Sequence, residues 1–193
     1  ADALICGTTG AYDHHFRHIE NLVGLKKGAS LFAAMNVLLL PQRVLAITDT
    51  HVNEMPSAEA TAEIAMMAAD TVRSFGIQPK VALLSHSNFG SSQSASARKM
   101  AAATAIIREK APDLEADGEM HGDTALSDEL RNQCDPDSPL QGEANVLVMP
   151  AFHSASISTK MLQELGGATV IGPIIVGLDK PVQIVSLGAK DSD

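Results

Sequence analysis

Short apolar runs alternate with longer stretches in which apolar residues recur every three or four positions. The runs at 3–6, 37–40, 44–48, 81–84, 146–149 and 182–185 predict strands. Pro41-Gln42-Arg43 separates the 31–40 and 44–48 runs and predicts a hairpin turn. Between Ser57 and Phe75, the residues Ile64, Met67, Ala68, Thr71, Val72 and Phe75 fall at helical spacing. Ser57 suits the N-cap of that helix, Glu59 and Glu63 complement its dipole, and Gly76 stops it. Further helices are expected near 92–110, 124–133 and 154–165. Strands alternating with helices predict an α/β fold, with a largely parallel sheet and helices on both faces. In such sheets ligands sit beyond the carboxyl ends of the strands.

Composition narrows this picture. At 193 residues the chain is long enough for one domain with a real core. Hydrophobic residues make up 45% but aromatics only 3%, and Trp is absent, so Ala, Leu, Ile, Val and Met must fill the interior. A formal net charge of −9 argues against a nucleic-acid partner, and an anionic ligand would need local positive groups or helix ends. Cys6 and Cys134 are far apart and lack C-x-x-C spacing, which fits a reducing, cytoplasmic setting. The 31–40 run contains Asn36 and is too short to span a bilayer, and no signal peptide opens the chain. The chain opens almost directly on a strand without an initiator Met, which suggests a piece of a longer polypeptide.

Three segments carry candidate chemistry. The first is V-A-L-L-S-H-S-N-F-G-S-S-Q-S-A-S-A-R-K-M at 81–100, a buried strand opening into a Ser/Gly loop and then a helix. A helix start with free backbone N–H groups and a positive dipole end would attract an anion. The same loop also reads as an ordinary strand-to-helix connection, with Ser91 or Ser92 as N-cap; it is not a P-loop. The second segment, D-G-E-M-H-G-D at 117–123, gathers three acids and a histidine. It is compatible with a cation, but also with a turn in which Gly118 takes an unusual backbone angle and Asp123 caps the next helix. The third is the His14, His15, His18 group, where four-residue spacing puts two rings on one helix face without a third ligand. No dedicated metal site is expected.

In this order the 81–100, 117–123 and 142–150 (G-E-A-N-V-L-V-M-P) segments resemble the phosphotransacetylases. So does G-P-I-I-V-G-L-D-K-P-V at 172–182, which matches the family's G-P-[IV]-[LI]-x-G-L-x-K-P-V. T-H-V-N-E at 50–54 and the first two segments are more similar to the phosphotransacetylase-like C-terminal region of bacterial hybrid malic enzymes. The resemblance implies a three-layer αβα fold like that of isocitrate and isopropylmalate dehydrogenases. The chain would be a fragment of a two-subdomain unit, with about 20–180 forming one subdomain and both ends belonging to its neighbour. It implies an acyl-phosphate/CoA cleft lined by Arg17, Ser85, Ser87, Asn88, Ser91, Glu119, Asp123 and Asn145. Ser186 occupies the family's serine position and Asp193 that of the aspartate proposed as base for the CoA thiol.

The chain also departs from the enzymes. Leu187 replaces the arginine that stabilises charge at the acyl/phosphoryl centre, a loss on the order of 10²–10³ in rate. Gly10, Tyr12 and His14 stand where the enzymes carry small polar residues and an acid, and Ala155-Ser156 stands where they carry Gly-Asn. The resemblance therefore implies a homo-oligomeric, acetyl-CoA-binding regulatory region without transferase turnover. Its malic enzyme domain, in the same polypeptide, would carry NAD(P) and a divalent metal. The alternative is an active phosphate acetyltransferase making acetyl-CoA and phosphate from CoA and acetyl phosphate.

Overall fold

The computed structural model describes residues 2–7 and 12–185, with only the backbone of residues 12 and 13. Ser186, Leu187 and Asp193 lie outside the described residues. The elements are β1 (Leu4–Gly7), α1 (Tyr12–Leu22), β2 (Ala33–Leu39), β3 (Val44–Thr48), α2 (Ala58–Ser74), β4 (Lys80–Leu84) and α3 (Ala95–Lys110). They continue with β5 (Glu115–Met120), α4 (Gly122–Ala125), α5 (Asp128–Cys134), β6 (Val146–Val148), α6 (Phe152–Gly166), β7 (Thr169–Val176) and β8 (Val182–Val185). One eight-stranded sheet runs β1-β8-β7-β2-β3-β6-β4-β5.

Strands β3, β6, β4 and β5 form a parallel block, so their carboxyl ends open on one side. Next to it the parallel pattern breaks. Strand β2 is antiparallel to β3 because the short turn at 40–43, closed by Leu40 N–H to the Arg43 carbonyl at 2.9 Å, returns the chain directly, and its other edge pairs antiparallel with β7. Strand β8 is antiparallel to β7 through the single residue pair Ile174 and Gln183, and β1 lies parallel to β8 at the edge.

Side-chain alternation along the strands builds two cores, one on each face. Val81 and Leu83 of β4 join Val146 and Val148 of β6 beneath α2 and α3, while Ala82, Leu84, Leu147 and Met149 face α4 and α6. Helix α2 lays Ala62, Ala65, Ala68 and Ala69 on the sheet, and α3 adds Ala103. Small side chains let the helices approach closely, which is how a core poor in aromatics stays filled. A third cluster joins α1 to β8 and β7 through Ile19, Ile175, Val182 and Ile184. Ser57 caps α2, accepting from Ala60 N–H at 3.2 Å, and Gly76 follows it at φ +79°.

Several elements differ from expectation. Strand β2 starts at Ala33 and carries Asn36 through its buried middle, with a register shift between Met35 and Val37. The helix expected from 92 begins at Ala95, because Ser94 accepts from Ala97 N–H while Ser92 is tied back to the loop. The single helix expected at 124–133 is two, broken at Ser127, which caps α5. Segments 115–120 and 169–176 are strands that their polar or Gly-Pro-interrupted sequences conceal.

Gly118 fixes the geometry of β5. Its φ is +150°, and a Cβ there would sit 2.7 Å from the Leu83 carbonyl oxygen and 2.9 Å from Leu83 Cβ. Substitution must therefore push β5 off β4. Gly118→Ala should cost about 2–4 kcal/mol in denaturant unfolding. Gly122→Ala, which meets nothing within 4 Å, should stay within about 0.5 kcal/mol of the parent. Equal midpoints for the two variants would contradict this role for Gly118.

Candidate functional site

The carboxyl ends of β3, β4, β5 and β6 each release a polar segment, and these segments are cross-linked. After β3, Asp49 is 3% exposed and its carboxylate collects N–H groups. Oδ1 accepts from Ala34 N at 3.1 Å, His51 N at 3.0 Å and Val52 N at 3.1 Å. Oδ2 accepts from Asn53 N at 2.7 Å and Asn53 Nδ2 at 2.5 Å. A buried carboxylate is tolerable only when its lone pairs are filled, so the 49–53 backbone is wound around this one group.

The 85–92 loop after β4 is built the same way. Glu119, 2% exposed on β5, accepts from Ser87 Oγ at 2.7 Å and Gly90 N at 2.8 Å through Oε1, and its main-chain oxygen accepts from Phe89 N at 2.8 Å. Phe89 at φ +46° and Gly90 at φ +86° turn the chain, with Ser91 N–H returning to the Asn88 carbonyl at 3.0 Å. Ser91 Oγ accepts from Asn88 N at 2.9 Å, Ser87 Oγ accepts from Ser92 N at 2.9 Å, and Asn88 Oδ1 accepts from His121 N at 2.7 Å. Most backbone N–H groups expected to cradle an anion are thus spent inside the loop. Ser85 Oγ is different: it is buried and has no hydrogen-bond partner.

Two further groups face this region that sequence reasoning did not single out. Lys99, in the second turn of α3, donates from Nζ to the Pro150 carbonyl at the end of β6. Burial pulls its pKa below the ordinary lysine value. Helix α6 starts behind Pro150 without a side-chain cap; Phe152 N–H donates to the Glu54 carbonyl at 3.3 Å, and His153 Nε2 lies 3.4 Å from Glu54 Oε1. The only sequence signals for these contacts were a basic pair opening α3 and an alanine in the N-cap position of α6.

The structure gathers some expected residues and separates others. Ser85, Ser87, Asn88, Ser91 and Glu119 form one unit, and exposed Asp123 follows in α4, accepting from Thr124 N–H at 2.9 Å. Asn145 sits at the amino end of β6, away from the loop, where it accepts from Lys80 N at 2.8 Å and donates to the Gln78 carbonyl at 2.8 Å. Arg17 is exposed on α1, which packs on the far sheet edge; from β1 to β4 are six strand spacings of about 4.8 Å each. Asp117 is wholly buried against Arg108 and Ser138, a structural role. His14 and His18 stack edge to face with ring centroids 4.7 Å apart. A separate groove of about 740 Å³ lies between α2 and the β7–β8 turn, rimmed by Lys26, Lys27 and Lys180.

If Glu119 is the brace of the loop, removing its carboxylate should loosen 85–92 while the sheet persists. Glu119→Ala should speed amide exchange at Gly90 by about tenfold or more, the loss of a hydrogen bond to a charged acceptor, and less at Phe89, whose main-chain acceptor remains. Glu119→Gln, which keeps an acceptor oxygen, should retain most of the protection. Unchanged exchange in Glu119→Ala would refute the brace.

Known proteins share both sequence and architecture with this chain. The family model described as phosphate acetyl/butaryl transferase matches residues 1–193. An NADP-dependent malic enzyme from Salmonella typhimurium is 54% identical over 187 residues, 96% of this chain but 25% of that protein. A phosphate acetyltransferase from Synechocystis is 37% identical over the whole chain and 28% of its own length. The chain thus spans about a quarter of the curated relatives it matches. The crystal structure of a phosphotransacetylase from Streptococcus pyogenes superimposes with a TM-score of 0.94 at 34% identity, covering 98% of this chain and 58% of that one. A 4-hydroxythreonine-4-phosphate dehydrogenase from Klebsiella pneumoniae shares the fold at a TM-score of 0.59 and 16% identity, over 96% of this chain and 56% of its own. With the family model spanning every residue, this chain belongs to the phosphate acetyl/butaryl transferase family.

Proposed function

We propose that this chain is the acyl-CoA-responsive region of a malic enzyme. It binds acetyl-CoA, or a related acyl-CoA or acyl phosphate. Binding adjusts oxidative decarboxylation of malate to pyruvate and CO2 on another domain of the same polypeptide, where NAD(P) and a divalent metal act. Attachment to such a domain is supported by the greater likeness to the Salmonella malic enzyme than to the Synechocystis phosphate acetyltransferase. The single-pair junction of β8 with β7 supports assigning both chain ends to a neighbouring subdomain.

The observation that carries the binding reading is Ser85 Oγ. A buried hydroxyl left unpaired costs about 1–3 kcal/mol, and every neighbouring loop group just described is satisfied internally. A displacement of the loop that uncovers it would let a ligand oxygen complete it. Lys99 and the uncapped start of α6 supply positive potential at the end of the neighbouring strand β6. Turnover is a separate matter. Leu187 presents no donor to a developing anion, so binding proceeds without acyl transfer. Family membership, with Ser186 and Asp193 in place, favours the second reading, an active phosphate acetyltransferase. No described helix is long and apolar enough to cross a membrane, and the free thiols of Cys6 and Cys134 suit a reducing cytoplasm. The region works as a homo-oligomer.

The test is malate-dependent NAD(P)H formation by the full-length polypeptide, titrated with acetyl-CoA. A saturable change is expected, and Ser91→Asp should raise the half-saturating concentration about tenfold. A flat response overturns the regulatory reading. In a parallel assay of CoA plus acetyl phosphate, the parent should stay at background and Leu187→Arg should gain at least about tenfold. Robust turnover by the parent would instead establish the transferase.

A further inference from the structure

Lys99 is more than a source of charge. It stands in the second turn of α3, half-buried, and its Nζ donates to the Pro150 carbonyl. Leu83 of β4 pairs with Val148 of β6, so two residues further on Ser85 and Pro150 leave neighbouring strands at the same level, one strand spacing of about 4.8 Å apart. The amine is thereby held at the rim onto which the carboxyl ends of the parallel strands open. Among the described residues no carboxylate pairs with it. Arg98 beside it donates to the Gln93 carbonyl, and His153 at the start of α6 lies with Glu54 at 3.4 Å. Burial without a compensating charge pulls the Lys99 pKa below the ordinary lysine value, so more of it is free amine near neutral pH. An ammonium has no lone pair to offer. A neutral amine that donates one N–H to Pro150 keeps its lone pair turned away from that carbonyl, where it can meet an electrophile.

We infer that Lys99 Nζ is an acylation site, taking the acetyl group from an acyl-CoA thioester held at this rim. The ammonium first gives one proton to solvent. The lone pair then forms a C–N bond to the thioester carbonyl carbon, the C–S bond breaks, and CoA leaves as the thiolate. The extra proton on nitrogen passes to that thiolate, so the products are an amide and free CoA thiol, and no further reactant is needed. A thioester carbonyl is uncharged and leaves the amine neutral. Acetyl phosphate would bring its own negative charge to the nitrogen, favour the ammonium and so suppress the nucleophile. The product keeps one N–H for the Pro150 carbonyl and loses the charge that burial disfavours. Acylation also deletes a cation from the rim and so opposes the next anionic ligand. The inference rests on the acyl-CoA binding of the proposed function.

The test incubates the full-length polypeptide with acetyl-CoA near neutral pH and quantifies acetyl-lysine at each site by peptide mass spectrometry. Lys99 should be acetylated at least about tenfold faster than the exposed Lys110 and Lys160, at a rate that saturates with acetyl-CoA and falls when excess CoA competes. Trace labelling with acetic anhydride, which needs no binding site, should also favour Lys99 over those two lysines. No preference for Lys99 with acetyl-CoA, while acetyl-CoA still changes malate-dependent NAD(P)H formation, overturns the inference alone. Loss of both the preference and that response overturns the proposed function with it. No preference with either reagent overturns the nucleophilic amine itself, and faster acetylation of Lys99 by acetyl phosphate than by acetyl-CoA overturns the thioester as donor.

Discussion

Two buried carboxylates at the ends of parallel strands hold the polar side of this molecule together. Asp49 and Glu119 are each nearly inaccessible, and each must fill its lone pairs from the backbone around it. The cheapest source of donors is the chain leaving a strand, so the loops wrap these groups instead of projecting freely. Glu119 reaches from β5 to the loop after β4, which makes the loop's shape depend on the pairing of two neighbouring strands. Any shift of β5 relative to β4 is therefore felt at Ser87 and Gly90.

The sheet explains why those loops converge. Its four parallel strands are adjacent, so their carboxyl ends lie side by side. Beyond β3 the strands β2 and β7 extend the sheet, and the segment entering β2 meets the rim where Asn53 Nδ2 donates to the Phe32 carbonyl at 2.8 Å. Strands β8 and β1 join it through one residue pair, a side-chain contact from Gln183 Nε2 to the Pro173 carbonyl at 2.7 Å, and the small cluster of Ile19, Ile175, Val182 and Ile184. The main sheet and the β1–β8 edge are thus unequally secured, and Arg17 travels with the edge.

Legibility in the sequence followed how local each cause was. Strands β3, β4 and β6 are continuous apolar runs and could be placed from pattern alone. Strand β5, E-A-D-G-E-M, could not: Asp117 and Glu119 are buried because Arg108, Ser138 and Ser87 come to meet them. Among several serines only the geometry distinguishes Ser94 as the cap of α3, since Ser92 is held by Ser87. The loop after β4 was readable as a polar strand exit. Its internal pairing was not, because a free N–H and one bonded to a distant carboxylate look alike in sequence. Asn145 shows the opposite error, for a short β6 brings its block near the site while the asparagine itself stays at the wrong end of the strand.

The consequence for recognition is that the loop is a rigid wall and not a nest of open amides. With Asn88, Phe89, Gly90, Ser91 and Ser92 N–H groups already bonded, positive potential at the rim must come from elsewhere. Lys99 supplies a cation that burial disfavours and that a single carbonyl only partly compensates. An opposite charge beside it would offset that cost by favouring the ammonium form. The carboxylates that stiffen the loop are thus the same groups that leave it few free amides to offer.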